Sequence, residues 1–297
     1  MNRFSFLLVP LLMIGLLGSG CAQITPRLVQ TPSNEQAVGS MGVLALNGGA
    51  ATVTRGDKTL NAPTEVELLP GDTVRVTEGT VTIAYPGAGA SYLGEGTEIT
   101  LLPDGEGQGS VFAQIELAAG SIWTRFERLL GPDEKFSVSG NGVVATVRGT
   151  AFAMEIVDGQ ADVQVAESEV EVGVLAARKD AALAKKALLL KSGEGFTVGV
   201  QAMMRLESAG MKRLVRKLNE KEKTRKEYKK MSTTVPDDLM KMKAKTKMEG
   251  KAVIPERFRD RVDAAMMERF IEAGIIEFGA PTYAPTKANI APTTTSR

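Results

Sequence analysis

The chain contains no histidine and a single cysteine, Cys21, among its 297 residues. Each absence excludes a class of chemistry. Without His there is neither the commonest general base nor the commonest metal ligand. With one Cys besides, Cys/His zinc sites and Ser-His-Asp hydrolysis are ruled out. A lone Cys cannot close an internal disulfide. The chain also lacks an apolar run long enough to cross a bilayer. The longest, Phe6 to Leu17, is about a dozen residues, short of the ~20 a spanning helix needs.

What stands at the start is a different signal. Arg3 precedes that apolar run, the small residues Gly18-Ser19-Gly20 follow it, and Cys21 comes next. A basic start, a short apolar core and a small-residue cut site read as a secretory leader. Leu17-Gly18-Ser19-Gly20-Cys21 looks like the processing site of bacterial lipoproteins, with Leu one step further back than that pattern prefers. The expectation is cleavage after Gly20, acylation of Cys21 and attachment to a membrane, with residues 1–20 as signal peptide. More than one acyl chain is needed for stable anchoring, each buried methylene contributing ~0.8 kcal/mol. No Asp follows Cys21; by resemblance to enterobacterial lipoproteins this favours the outer membrane over the inner. Residues 21–40, with Pro26, Pro32, Ser33 and Asn34, read as a tether.

Charge is nearly balanced overall, at formal net +1, but unevenly spread. Residues 34–174 are rich in acid, whereas residues 205–261 hold most of the Lys and Arg. From residue 41 onward, short alternating or β-branched runs recur about every ten residues, broken by Gly, Pro, Asp and Asn. Thr73-Val74-Arg75-Val76, Thr80-Val81-Thr82-Ile83-Ala84-Tyr85, Phe112 to Leu117, Ser121 to Phe126 and Ala161 to Val165 are examples. That spacing predicts an all-β sandwich, barrel or solenoid. Strict alternation within the runs implies one buried and one wet face. Leu69-Pro70-Gly71-Asp72 carries the Pro-Gly of a type II turn. Asp158-Gly159 between alternating runs is a strong hairpin signal.

Several ordered blocks in this region resemble the FecR-domain family, the periplasmic module of ferric-citrate-type regulators. They are Leu69-Pro70-Gly71-Asp72-Thr73-Val74, Gly96 to Leu101, Leu117 to Trp123, Phe136-Ser137-Val138, the run Val147-Arg148-Gly149-Thr150-Ala151-Phe152, and Val163 to Val172, in which Ser168 stands where the family usually has Gly. The most specific is Arg148-Gly149-Thr150 with Phe152. The resemblance implies an antiparallel β sandwich or solenoid-like domain over residues 41–200. Read by its own chemistry, Gly149 permits a bulge or close backbone approach. Arg148 is expected to bond backbone carbonyls or a carboxylate rather than a ligand. Regulators of this family carry a cytoplasmic anti-sigma segment and a transmembrane helix before the domain. Here only a leader and a tether are expected, so the resemblance supports fold and compartment, not sigma-factor regulation.

Residues 174–190 read as a short helix or inserted loop, and 187–198 as a closing hairpin. Residues 201–275 are expected to form a basic α-helical extension, first over Met203 to Lys230 and again from Ile254, because apolar residues recur there at three- and four-residue steps. Residues 276–297, rich in Pro, Ala and Thr, read as a disordered tail. The expected function is a non-catalytic binding or scaffold module, with signalling as the alternative. No cofactor, metal or small-molecule substrate is implied. The expected partners are the membrane, through the lipid, and an envelope protein or cell-wall polymer; nucleic acid is not among them.

Overall fold

The computed structural model describes residues 40–103, 113–126, 136–147, 149, 151–174, 187–199, 208–223, 241–255, 258, 268, 271, 272 and 276–279. The chain divides into two units, Met1–Glu35 and Gln36–Arg297, and every described residue belongs to the second.

Seventeen strands form one hydrogen-bonded network. They are β1 (Gly42–Ala45), β2 (Ala50–Arg55), β3 (Lys58–Asn61), β4 (Glu65–Leu68), β5 (Thr73–Glu78), β6 (Val81–Tyr85), β7 (Gly89–Leu93), β8 (Glu98–Pro103), β9 (Ala113–Phe126), β10 (Phe136–Gly140), β11 (Val143–Val147), β12 (Ala151–Val157), β13 (Gln160–Glu167), β14 (Glu169–Val174), β15 (Leu188–Lys191), β16 (Glu194–Gly199) and β17 (Val215–Lys217). The ladders resolve into two sheets. The first runs β4-β1-β6-β7-β9-β12-β13-β16-β17. The second runs β3-β2-β5-β8-β9-β10-β11-β14-β15. Neither closes on itself.

Strand β9 belongs to both sheets. Its first half, through Ala119, pairs with β8 and β10; its second half, from Gly120, pairs with β7 and β12. The crossing falls at Gly120, whose φ is +81°. A Cβ there would stand 2.5 Å from Thr97 Cα, so only glycine fits. Elsewhere the chain passes between sheets at tight turns. Leu69-Pro70-Gly71-Asp72, with Gly71 at φ +88°, carries it from β4 in the first sheet to β5 in the second. The Ser192-Gly193 turn likewise joins β15 and β16, which lie in different sheets, so the hairpin expected over 187–198 is instead a crossing. Asp158-Gly159 does make the expected hairpin: both residues have positive φ, as a type I′ turn requires, and Val157 pairs with Gln160. Asn141-Gly142 repeats the geometry between β10 and β11.

The core lies between the sheets. Alternation puts Ala51, Val53 and Arg55 of β2 inward. Leu44, Ile83, Ile99, Ile115, Phe136, Phe152, Val163, Leu190 and Phe196 are fully buried. Each such side chain contributes ~1.5–3 kcal/mol relative to exposure. Tyr85, Phe126 and Phe136 form a three-ring cluster with centroids 5.0–5.9 Å apart. The Tyr85 hydroxyl continues into a buried chain through Ser91 Oγ (2.9 Å) to Thr124 Oγ1 (2.7 Å).

The expectation for residues 201–275 needs correction. Their described residues hold two short helices, α1 (Ser208–Lys212) and α2 (Glu220–Lys223), with strand β17 between them, while Glu268, Ile271 and Glu272 are also helical. Pairing of Val215 with Phe196 at the open edge of β16 outweighs the helical spacing. Ile254 and Pro255, expected to open a helix, close strand β18 (Ala252–Pro255). That strand pairs in parallel with β19 (Ile276–Gly279), inside the segment expected to be tail.

Candidate functional site

Of the residues singled out in the sequence, Gly149 and Phe152 lie among those described; Cys21, Arg148 and Thr150 lie outside them. Gly149 stands where the chain leaves β11 in the second sheet for β12 in the first, at φ +110°. Phe152 is fully buried, in register with Thr124 and Val165, beside a register shift between Ala151 and Phe152. Phe152 thus serves packing, and Gly149 lies in the passage between the sheets.

A buried ion pair that the sequence reading overlooked organises one end of the sandwich. Arg55, at the inward position closing β2, donates from Nε to Asp72 Oδ1 at 2.7 Å and from Nη2 to Asp72 Oδ2 at 2.6 Å. Both side chains have no exposure. Nη2 also donates to the Glu67 carbonyl at 3.0 Å, and Nη1 to the Met248 carbonyl. Asp72 Oδ2 accepts the Leu69 N–H at 2.8 Å, which ties the Leu69–Asp72 turn back on itself. Burial pushes the Asp72 carboxyl above its ordinary value, while the Arg55 hydrogen bonds and charge and the Leu69 N–H pull it down; the rise prevails. Both carboxylate oxygens are occupied by the protein itself, so the group serves as a clamp rather than a base. The inward parity of Ala51, Val53 and Arg55 was the legible signal.

The outer face of the first sheet is also covered. Trp123, Ala151 and Ala153 form a second apolar cluster with Leu218, and Tyr92 and Ala166 pack against it. Ala84 and Ala90 meet Met242 in a third. Arg216 of β17 reaches Asp162 of β13 at 3.1 Å and pairs with Glu222 of α2. Thr197 and Gln164 donate to the same Asp162. Asn219 and Glu222 exchange side chain to backbone bonds of 2.9 and 2.8 Å, a capping box that starts α2.

Residues 241–248 alternate in exposure. Lys241, Lys243, Lys245 and Lys247 are exposed; Met242, Ala244 and Thr246 are half-buried and Met248 is buried. The segment is fastened to the outer edge of β4. Thr246 forms a parallel bridge with Val66, its carbonyl accepting from Glu67 N (3.0 Å) and its N–H donating to the Glu65 carbonyl (3.2 Å). The Met248 carbonyl sits in the Arg55 clamp. Lys245 pairs with Glu65 at 3.4 Å. Among the described residues, no group of three or more Asp, Glu, His or Cys could hold a metal ion, and no helix is long and apolar enough to cross a membrane.

The site and fold thus define a β-sandwich module in which the buried charges of Arg55 and Asp72 are engaged in holding its own architecture. Residues 72–171 match the family model described as FecR protein, from the buried Asp72 into β14, in line with the resemblance read in the sequence. No curated protein matches the chain. Two crystal structures of an anti-sigma factor candidate from Parabacteroides distasonis ATCC 8503, at 1.65 and 2.50 Å resolution, are each 18% identical over 51% of this chain, with a TM-score of 0.36. The match spans 61% of that protein's chain, and the likeness is too weak to define the fold.

Proposed function

We propose that this chain is a non-catalytic binding module of FecR type that serves signalling at the cell envelope, held at a membrane surface by acylated Cys21. The observation that carries the signalling reading is the FecR match over residues 72–171. The binding reading draws on the way Arg55 and Asp72, the buried charges of the best-formed polar site, are used up in structure. The leader and Cys21 support export and anchoring, with the outer membrane preferred, and an envelope protein or cell-wall polymer as partner. A plain scaffold that binds without passing on a signal is the second reading; the C-terminal segment, fastened to the sandwich at β4 and Arg55, favours it by making the module stiff.

Two measurements test this. Metabolic labelling with a palmitate analogue is expected to mark the wild type and not Cys21→Ala; label that persists in the variant refutes the anchor. Transcript profiles of cells carrying the wild type, a deletion or Cys21→Ala are expected to differ in a limited set of envelope genes. Identical profiles would sink the signalling reading and leave the scaffold.

A further inference from the structure

The segment Lys241-Met242-Lys243-Ala244-Lys245-Thr246-Lys247-Met248 has a period of two in both charge and burial. On an α-helix, lysines two residues apart point to nearly opposite sides. In a strand-like segment they share one face, about 7 Å apart, so four of them make a row about 20 Å long. The alternating exposures follow the second course, with a turn at Lys241 and a bend at Lys245. Met242 sits against Ala84 and Ala90, Thr246 bridges Val66, and Met248 enters the main core. Seating those side chains inward turns all four lysines outward. Lys251 is exposed a little further on, and the Lys58 side chain lies against Gly250, so two more cations border the row. The acidic groups nearby are Glu65, which pairs with Lys245, and the exposed Glu249 and Asp57.

We infer that this lysine row is a docking surface for an anionic lipid membrane. Three features favour a lipid surface over a discrete anion. Among the described residues, the row stands exposed beside β4 and no walls converge on it as on a single ligand. It is built of Lys alone, a hydrated point charge, with none of the forked Arg geometry that recognises one phosphate or carboxylate. Its charges are spread over successive residues of one segment, as suits many headgroups at once. The expected anchor adds a fourth: an acylated Cys21 would keep the module beside a bilayer. Only that last argument rests on the proposed anchoring. Each Lys near an anionic surface strengthens attachment by roughly fivefold, so the three lysines outside the Lys245–Glu65 pair are worth on the order of a hundredfold.

The test uses the chain expected after leader removal, residues 21–297, with Cys21→Ala, which removes acylation and keeps the inference separate from the anchor. Co-sedimentation is measured with vesicles of phosphatidylcholine alone and of equal parts phosphatidylcholine and phosphatidylglycerol. The chain is expected to bind the anionic vesicles at low salt and to release them at high salt. Replacing Lys241, Lys243, Lys245 and Lys247 together by Gln is expected to weaken binding at least tenfold with circular dichroism unchanged. Replacing the same four by Arg is expected to retain it, which separates charge from fold. Equal sedimentation with both vesicle types, or undiminished binding by the Gln variant, overturns the inference. So does binding to soluble polyphosphate with none to anionic vesicles, which assigns the row to a polymer.

Discussion

The Arg55–Asp72 pair makes a sharp prediction, because its parts can be removed one at a time. Asp72→Asn keeps the shape and an acceptor for the Leu69 N–H but leaves the Arg55 guanidinium buried with no countercharge. Arg55→Met keeps most of the volume and leaves the Asp72 carboxylate in the same position. Breaking a buried pair from one side costs ~3–5 kcal/mol. Against a typical domain stability of ~5–15 kcal/mol, either change removes a large share. The double variant removes both charges. What it leaves is the Glu67 and Met248 carbonyls without their donor, at ~1–3 kcal/mol each. It should therefore be no less stable than the worse single variant, rather than showing the sum of the two.

The assay is urea unfolding of the wild type, both single variants and the double variant. The coupling between the two sites is expected to be ~3 kcal/mol or more. Additive effects within ~0.5 kcal/mol, the behaviour of independent sites, would refute the reasoning. A second readout separates this clamp from a general packing defect. Arg55 holds the Met248 carbonyl, so Arg55→Met should speed tryptic cleavage after Lys247 and Lys251 in the native protein. Asp72→Asn, which keeps that donor in place, should speed it less.

Two glycines of positive φ should respond very differently to alanine. Gly120→Ala meets Thr97 backbone at 2.5 Å and should cost more than ~3 kcal/mol in chemical unfolding; Gly159→Ala meets nothing within 4 Å and should cost only the ~1–2 kcal/mol of left-handed backbone. Equal losses would mean that β9 does not cross between the sheets as described. Phe152→Ala empties a fully buried site between β9 and β13 and should lower stability by ~3–5 kcal/mol in the same assay; a loss below ~1 kcal/mol would contradict its burial.

Much of the sandwich was legible because each strand carries its own period and each hairpin its own turn residues. Asp158-Gly159 specified its geometry outright. What local sequence does not encode is the destination of the next strand. Leu69-Pro70-Gly71-Asp72 reads as a turn and is one, yet whether β5 returns beside β4 or joins the opposite sheet depends on strands far along the chain. Phe112–Leu117 and Ser121–Phe126 read as two runs for the same reason: the break at Gly120 is a change of sheet within one strand, and the crowding by Thr97 that requires glycine there is a tertiary contact. At residues 215–217 and 241–248, helix-forming Lys, Ala and Met pointed the wrong way. At Val215–Lys217 the open edge of β16 decided the outcome. At Lys241–Lys247 the period of two was present in the letters and was outweighed by composition.

Arg55 and the lysine row belong to one mechanical unit. The guanidinium that neutralises Asp72, at the start of the FecR-matching segment, also grips the Met248 carbonyl one residue beyond the last lysine of the row. Thr246 is held by two backbone bonds to β4, whose Leu68 leads directly into the clamped turn. A disturbance at Asp72 therefore reaches the segment by two short routes, through the guanidinium and through β4. The core that holds the FecR-matching segment and the lysine row are in this sense not separate attachments on one chain. The core fixes which side of an otherwise helix-prone sequence faces outward, and that orientation turns a run of scattered charges into a surface.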